Sequence, residues 1–212
     1  MRPFLTLLAL FFATVAADSD LLQDLCVADL SAGVKVNGYA CKNAATVTSN
    51  DFYFAALANP YPVNNTLGVA VTPGNVEKVP GFNTLGVSVS RIDYAPGGVN
   101  PPHSHPRASE VIFVLEGELE VGFITTTNAL MTKHIKKGEV FVFPKGLLHY
   151  QKNIGKVDAA VIAAFNSQLP GTQSVAASLF SATPAVPEDV LTKAFHIATP
   201  EVEKIKSRFA PK

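Results

Sequence analysis

Apolar and polar positions divide this chain into three textures. Between about Leu67 and Asn166, short apolar runs alternate with polar positions or stand alone between Gly and Pro. Leu85-Gly-Val-Ser-Val-Ser-Arg91 alternates, Val111-Ile-Phe-Val-Leu115 is continuous, and Leu119-Glu-Val-Gly-Phe-Ile124 follows a Glu116-Gly117 turn signal. Val140-Phe-Val-Phe143 stops at Pro144, and Ala159-Ala-Val-Ile-Ala-Ala-Phe165 closes the set. Runs of this length, punctuated by turn residues, predict an all-β sandwich or barrel over 67–170. Residues 18–66 lack such a period and read as an irregular arm, with Asp51-Phe-Tyr-Phe54 as an apolar anchor. Past Pro170, in segment 171–212, Pro187–Phe195 and Thr199–Phe209 each carry Pro and acids in front and basic residues behind, the polarity that helices prefer. Val202, Ile205 and Phe209 give the second of these a narrow apolar stripe, which needs a covering surface from the same chain or from a neighbouring subunit.

The first residues change the picture of where such a domain works. Met1-Arg2-Pro3 precedes an apolar run from Phe4, and Val15-Ala16-Ala17 ends it with small residues before Asp18. This pattern predicts a signal peptide over 1–17, cleaved after Ala17. The run is shorter than the roughly 20 apolar residues that span a bilayer. The exported remainder, about 195 residues, suffices for one well-buried domain. Two Cys occur, Cys26 and Cys41, and in an oxidising compartment they read as one disulfide. Asn64-Asn65-Thr66 is an N-glycosylation acceptor at Asn64, in a Pro- and Asn-rich stretch expected to be exposed. The formal net charge is zero, and the basic residues near the C-terminus are interleaved with Glu201 and Glu203. Neither a nucleic acid nor a membrane is therefore an expected partner.

The chemistry concentrates in two short segments. His103-Ser104-His105 places two imidazoles on one side of an extended segment, Glu110 follows, and His149 arrives on another strand behind Pro144-Lys145-Gly146. Three imidazoles and a carboxylate suit Mn, Fe, Zn, Ni or Cu. A closed structural zinc site would be richer in Cys. A six-coordinate ion held this way keeps two open positions for water or a small anion. His134 and His196 have no motif around them and read as surface residues. Arg107 is placed to steer anions or to pair with an acid, and Asn153 to order a turn.

These residues also carry a family resemblance. Gly97-x5-His103-x-His105-x4-Glu110-x6-Gly117 and Gly138-x5-Pro144-x-Gly146-x2-His149-x3-Asn153 match both cupin motifs without a gap. Gly98-Val-Asn-Pro-Pro-His-Ser-His-Pro-Arg-Ala-Ser-Glu110 resembles the germin box, and the Cys26/Cys41 pair, Gln23–Leu30 and the C-terminal helices resemble plant germins and germin-like proteins as well. The resemblance implies a cupin jelly-roll β-barrel with a disulfide-tied N-terminal arm and C-terminal α-helices. It implies one manganese ion per subunit, held by His103, His105, Glu110 and His149. It also implies secretion to the extracellular space, apoplast and cell wall, and a homohexamer built as a trimer of dimers, with segment 171–212 clasping neighbouring subunits.

For activity the resemblance divides. Germins that oxidise oxalate place two Asn side chains near the metal. Asn100 matches one, whereas the other position, just before Arg91, holds Ser90. Losing that amide costs oxalate a buried polar contact, about 1–3 kcal/mol, so oxalate oxidase is disfavoured. The resemblance implies superoxide dismutation with a role in defence or stress as the leading activity. The alternative is a non-enzymatic extracellular binding or cell-wall protein, similar to auxin-binding or storage-type cupins.

Overall fold

The computed structural model describes residues 23–35 and 37–209. The signal peptide expected over 1–17 lies outside the described residues. Ten strands form two antiparallel five-stranded sheets: β1 Val69–Gly74, β2 Ser88–Tyr94, β3 Val99–Ser104, β4 Glu110–Glu116, β5 Glu118–Ile124, β6 Leu130–Lys136, β7 Val140–Phe143, β8 His149–Asn153, β9 Ala159–Phe165 and β10 Gln173–Ser174. One sheet runs β1-β2-β9-β4-β7 and the other β10-β3-β8-β5-β6. The five apolar runs of the sequence correspond to β2, β4, β5, β7 and β9. In β4, Glu110, Ile112 and Val114 point inward and are buried, while Val111 and Phe113 point out, the alternation a half-buried strand requires.

The β-sheet core, the disulfide-tied arm and the C-terminal helices are those that the resemblance implies, and the core is a double-sheet jelly roll in which neither sheet closes on itself. At the corners the sheet edges meet through turns and isolated hydrogen bonds, such as Lys137 N to Gly117 O at 3.2 Å. Gly117 makes the tight turn from β4 to β5 with φ +77°. A Cβ there would lie 2.5 Å from that of Ala159, so both the conformation and the space call for glycine.

Ile92, Tyr94, Ile112, Val114, Leu119, Val121, Phe143 and Val161 fill the space between the sheets. The arm is stitched onto this domain: Cys26 and Cys41 form a disulfide, Ala28 bridges Cys41, and Ala28 N donates to Pro80 O at 2.9 Å. Further along, the arm covers a buried Arg91–Asp93 pair at 2.8 Å, with Tyr61 N donating to Asp93. At the other end, α1 Val175–Phe180, α2 Glu188–Phe195 and α3 Thr199–Phe209 pack on one another. Val202 and Leu191 are fully buried, and Phe180 sits 5.5 Å from Phe195 and 6.5 Å from Phe209, centroid to centroid. The apolar stripe of α3 is thus met by α1 and α2 of its own chain.

Opening the 15-residue loop between Cys26 and Cys41 restores conformational freedom to the unfolded chain. A Cys26→Ser, Cys41→Ser variant is expected to lose about 3 kcal/mol in denaturant titration. An unchanged midpoint would show that the arm's hydrogen bonds hold it without the bridge.

Candidate metal centre

His103 lies near the end of β3, His105 just after it, Glu110 opens β4 and His149 opens β8. His103 pairs directly with His149 across the β3–β8 ladder. All four side chains are buried, and one ligand atom from each falls within 4.8 Å of all the others. Among the described residues this 3-His/1-Glu cluster forms a single metal-binding site, consistent with one manganese ion per chain.

The orientation of each imidazole is set by a backbone carbonyl. His103 Nδ1 meets Pro101 O at 2.8 Å, His149 Nδ1 meets Leu147 O at 2.9 Å, and His105 Nδ1 meets Gly171 O. A carbonyl only accepts, so every Nδ1 carries the proton and every Nε2 turns a lone pair inward. His105 Nε2 and His149 Nε2 each lie 3.0 Å from Glu110 Oε2. Lone pairs aimed at a carboxylate repel unless a cation lies between them, and this is the donor set a divalent ion satisfies. Without an ion, those two nitrogens meet the same carboxylate oxygen as its polar partners.

Burial and the neighbouring His149 push the His103 imidazole down to about 4, so it stays neutral and ready to ligate at physiological pH. Burial alone would raise the Glu110 carboxyl, but its hydrogen bonds with His105 and His149, and their charge, outweigh burial and hold it at about 2. Phe143 stacks on His149 at 4.4 Å and Phe165 meets the His105 ring edge-on at 4.8 Å. These rings fix the imidazole planes and exclude water from one side.

On the other side, a cavity of about 260 Å³ opens onto His103, His105 and Glu110, and its wall includes Ser88, Ser90, Asn100, Ile92 and Thr172. Both sequence-derived wall residues, Ser90 and Asn100, line this cavity. Arg107 is exposed and is not among the residues that line this cavity. Its Nε donates to Leu169 O at 2.7 Å, holding the segment at the cavity mouth. Asn153 ties the β8 end to Ala95 O and Val157 O. His134 is exposed beside Glu120, and His196 caps α2 in the left-handed region. Asn64 is exposed ahead of the turn into β1.

Sequence reasoning missed Gln151, which is fully buried and donates to Glu110 Oε1 at 3.4 Å. Its signal was its place two residues after His149 on a strand, hence on the same inward face. Tyr94, equally buried, donates to Gln151 Oε1 at 3.2 Å. Burial, with Glu110 nearby, raises its phenol well above the usual value, so it remains a neutral donor.

A two-sheet jelly roll with three imidazoles and one carboxylate converging between its layers is the plan of a cupin metal site. The family model described as Cupin matches residues 55–203. The chain is 66% identical over 210 residues to germin-like protein subfamily 2 member 4 of Arabidopsis thaliana, covering 99% of this chain and 96% of that protein. It is 63% identical over 194 residues to the rhicadhesin receptor of Pisum sativum, covering 92% and 89%. Recombinant oxalate oxidase in complex with glycolate superposes with a TM-score of 0.88 at 45% identity, over 91% of this chain and 98% of that one. The chain belongs to the germin-like proteins of the cupin superfamily.

The folded-state values of His103 and Glu110 lie below their ordinary values of 6.5 and 4.5, so the unfolded chain binds more protons in acid. The stability His103 contributes is complete above pH 6.5 and is lost as pH falls to about 4; that of Glu110 is lost between 4.5 and about 2. Denaturant titration of the chelator-treated protein is expected to show a loss of roughly 3 kcal/mol from His103 over its interval. Stability that holds level or rises between pH 6.5 and 4 would contradict a buried neutral imidazole.

Proposed function

We propose that the protein is secreted to the plant apoplast and cell wall, where it acts as a manganese-holding binding protein that captures small anions rather than oxidising oxalate. The observation that carries this reading is the wall of the metal cavity. Besides the metal ligands it offers short hydroxyls, the amides of Asn75 and Asn100, and apolar groups, and among the described residues no Lys or Arg side chain lines it. A bound ion would supply the positive charge and two open coordination positions. Glu110 and the neutral imidazoles hold that charge in place, and Asn100 and Ser90 offer the hydrogen bonds that orient a ligand beside it. A dianion the length of oxalate finds no second cation and, at Ser90, no amide. The receptor name borne by a relative that is 63% identical supports a binding role.

The expected signal peptide over 1–17 supports export, and no helix among the described residues is long and apolar enough to cross a membrane. The exposed position of Asn64 supports its glycosylation. For the homohexamer, a trimer of dimers, support comes from the outward face of β4 and β7. There Val111 pairs with Val142 and Phe113 with Val140, all between 38 and 54% exposed, an apolar patch of the kind that marks protein contacts.

Superoxide dismutation is the second reading. It is favoured by the same cavity, which admits a small anion to a redox-capable ion and asks for no further specificity group.

Protein purified from a secreting host, assayed beside a His103→Ala, His105→Ala variant, separates these readings. Bound manganese without superoxide dismutation or oxalate oxidation is the expected result. Dismutation that vanishes in the variant would move the conclusion to the second reading, and oxalate oxidation by the unaltered protein would overturn the exclusion. Restoring the amide with Ser90→Asn is expected to tighten oxalate binding by about tenfold or more. No change in calorimetric affinity would show that Ser90 is not what refuses oxalate.

A further inference from the structure

His149, Gln151 and Asn153 alternate with outward residues on β8 and all three are buried. Gln151 has neither a turn to order nor a metal to ligate. Its Oε1 accepts two hydrogen bonds, from Asn100 Nδ2 at 2.7 Å and from Tyr94 Oη at 3.2 Å. Two donors on one oxygen fix the amide's orientation, since the flipped form would set hydrogens against hydrogens. The amide nitrogen therefore faces Glu110 Oε1, 3.4 Å away, its acceptor among the described contacts. That distance is long for a hydrogen bond, but the direction is dictated by the other two. The opposite oxygen, Glu110 Oε2, is the one shared with His105 and His149. The two oxygens of one carboxylate thus have separate tasks.

We propose that Gln151 is a positioning residue that holds Glu110 in a one-oxygen mode toward the metal and links Asn100 in the cavity wall to that metal ligand. A carboxylate with both oxygens free swings between one-oxygen and two-oxygen coordination, and the second mode consumes a position that a captured anion would use. The Gln151 amide occupies Oε1 and keeps that position open. Asn100 stands at the cavity end of the same chain of hydrogen bonds, so a ligand that engages its amide acts on Glu110 through Gln151. Outer groups that orient metal ligands typically contribute 10–100-fold to metal affinity.

This inference rests on the metal-site reading, and the two fail differently. In a competition titration with a chromogenic chelator, the unaltered protein is expected to bind one manganese per chain. Absence of binding there would sink the metal-site reading itself. Gln151→Leu is expected to weaken manganese by about 10–100-fold and to alter the Mn(II) EPR spectrum as Glu110 changes mode, while the loss of its hydrogen bonds to Tyr94 and Asn100 lowers the melting temperature of the metal-free chain by about a few degrees. Unchanged affinity and an unchanged spectrum would overturn the proposal while leaving the metal site intact. A drop in metal-free stability with unchanged affinity would also overturn it, because Gln151 would then be a packing residue. Should Gln151→Leu not fold, a Tyr94→Phe, Asn100→Ala double variant frees the same amide without removing it. The same spectral change is expected there, and its absence counts equally against the proposal.

Discussion

Three backbone carbonyls, those of Pro101, Leu147 and Gly171, determine what this molecule can do. Each binds the outer nitrogen of an imidazole and so turns the inner lone pair toward one point between two sheets. Placed around Glu110, those lone pairs make an arrangement that is unfavourable when empty of positive charge and favourable around an ion. The rest of the fold serves this constraint. The β3–β8 ladder sets His103 opposite His149, β4 delivers Glu110 from the facing sheet, and Arg107 grips the Leu169–Gly171 segment that supplies the carbonyl for His105.

The same layout explains the quiet character of the cavity. Its wall is drawn from β1, β2, β3, the end of β9 and the segment from Leu169 to Thr172. Apart from the metal ligands, the polar residues there, Asn75, Ser88, Ser90, Asn100 and Thr172, are short and uncharged. Selectivity then falls to the ion and to a few hydrogen bonds, which suits a small anion better than an extended dianion.

How much of this is legible in the sequence depends on where water stands. Strands whose inward positions are mostly apolar, β4, β5, β7 and β9, announce themselves by periodicity. β8 does not, because His149, Gln151 and Asn153 fill its inward positions and reverse the usual pattern of polar outside and apolar inside. β3 is disguised by Pro101 and Pro102, and β6 by its exposure, with only Ile135 buried. The metal ligands were nonetheless visible, since spacing and residue type survive where hydropathy misleads. Gln151 was not, since a neutral amide carries no ligating chemistry of its own and only its place two residues after His149 marks it as inward.

Anomalous X-ray diffraction at the manganese absorption edge, from crystals of the secreted protein grown without added metal, tests the central claim most directly. One peak per chain is predicted, bounded by the inner nitrogens of His103, His105 and His149 and one oxygen of Glu110. A difference map with no peak between those four side chains, or with its peak elsewhere, would contradict the account.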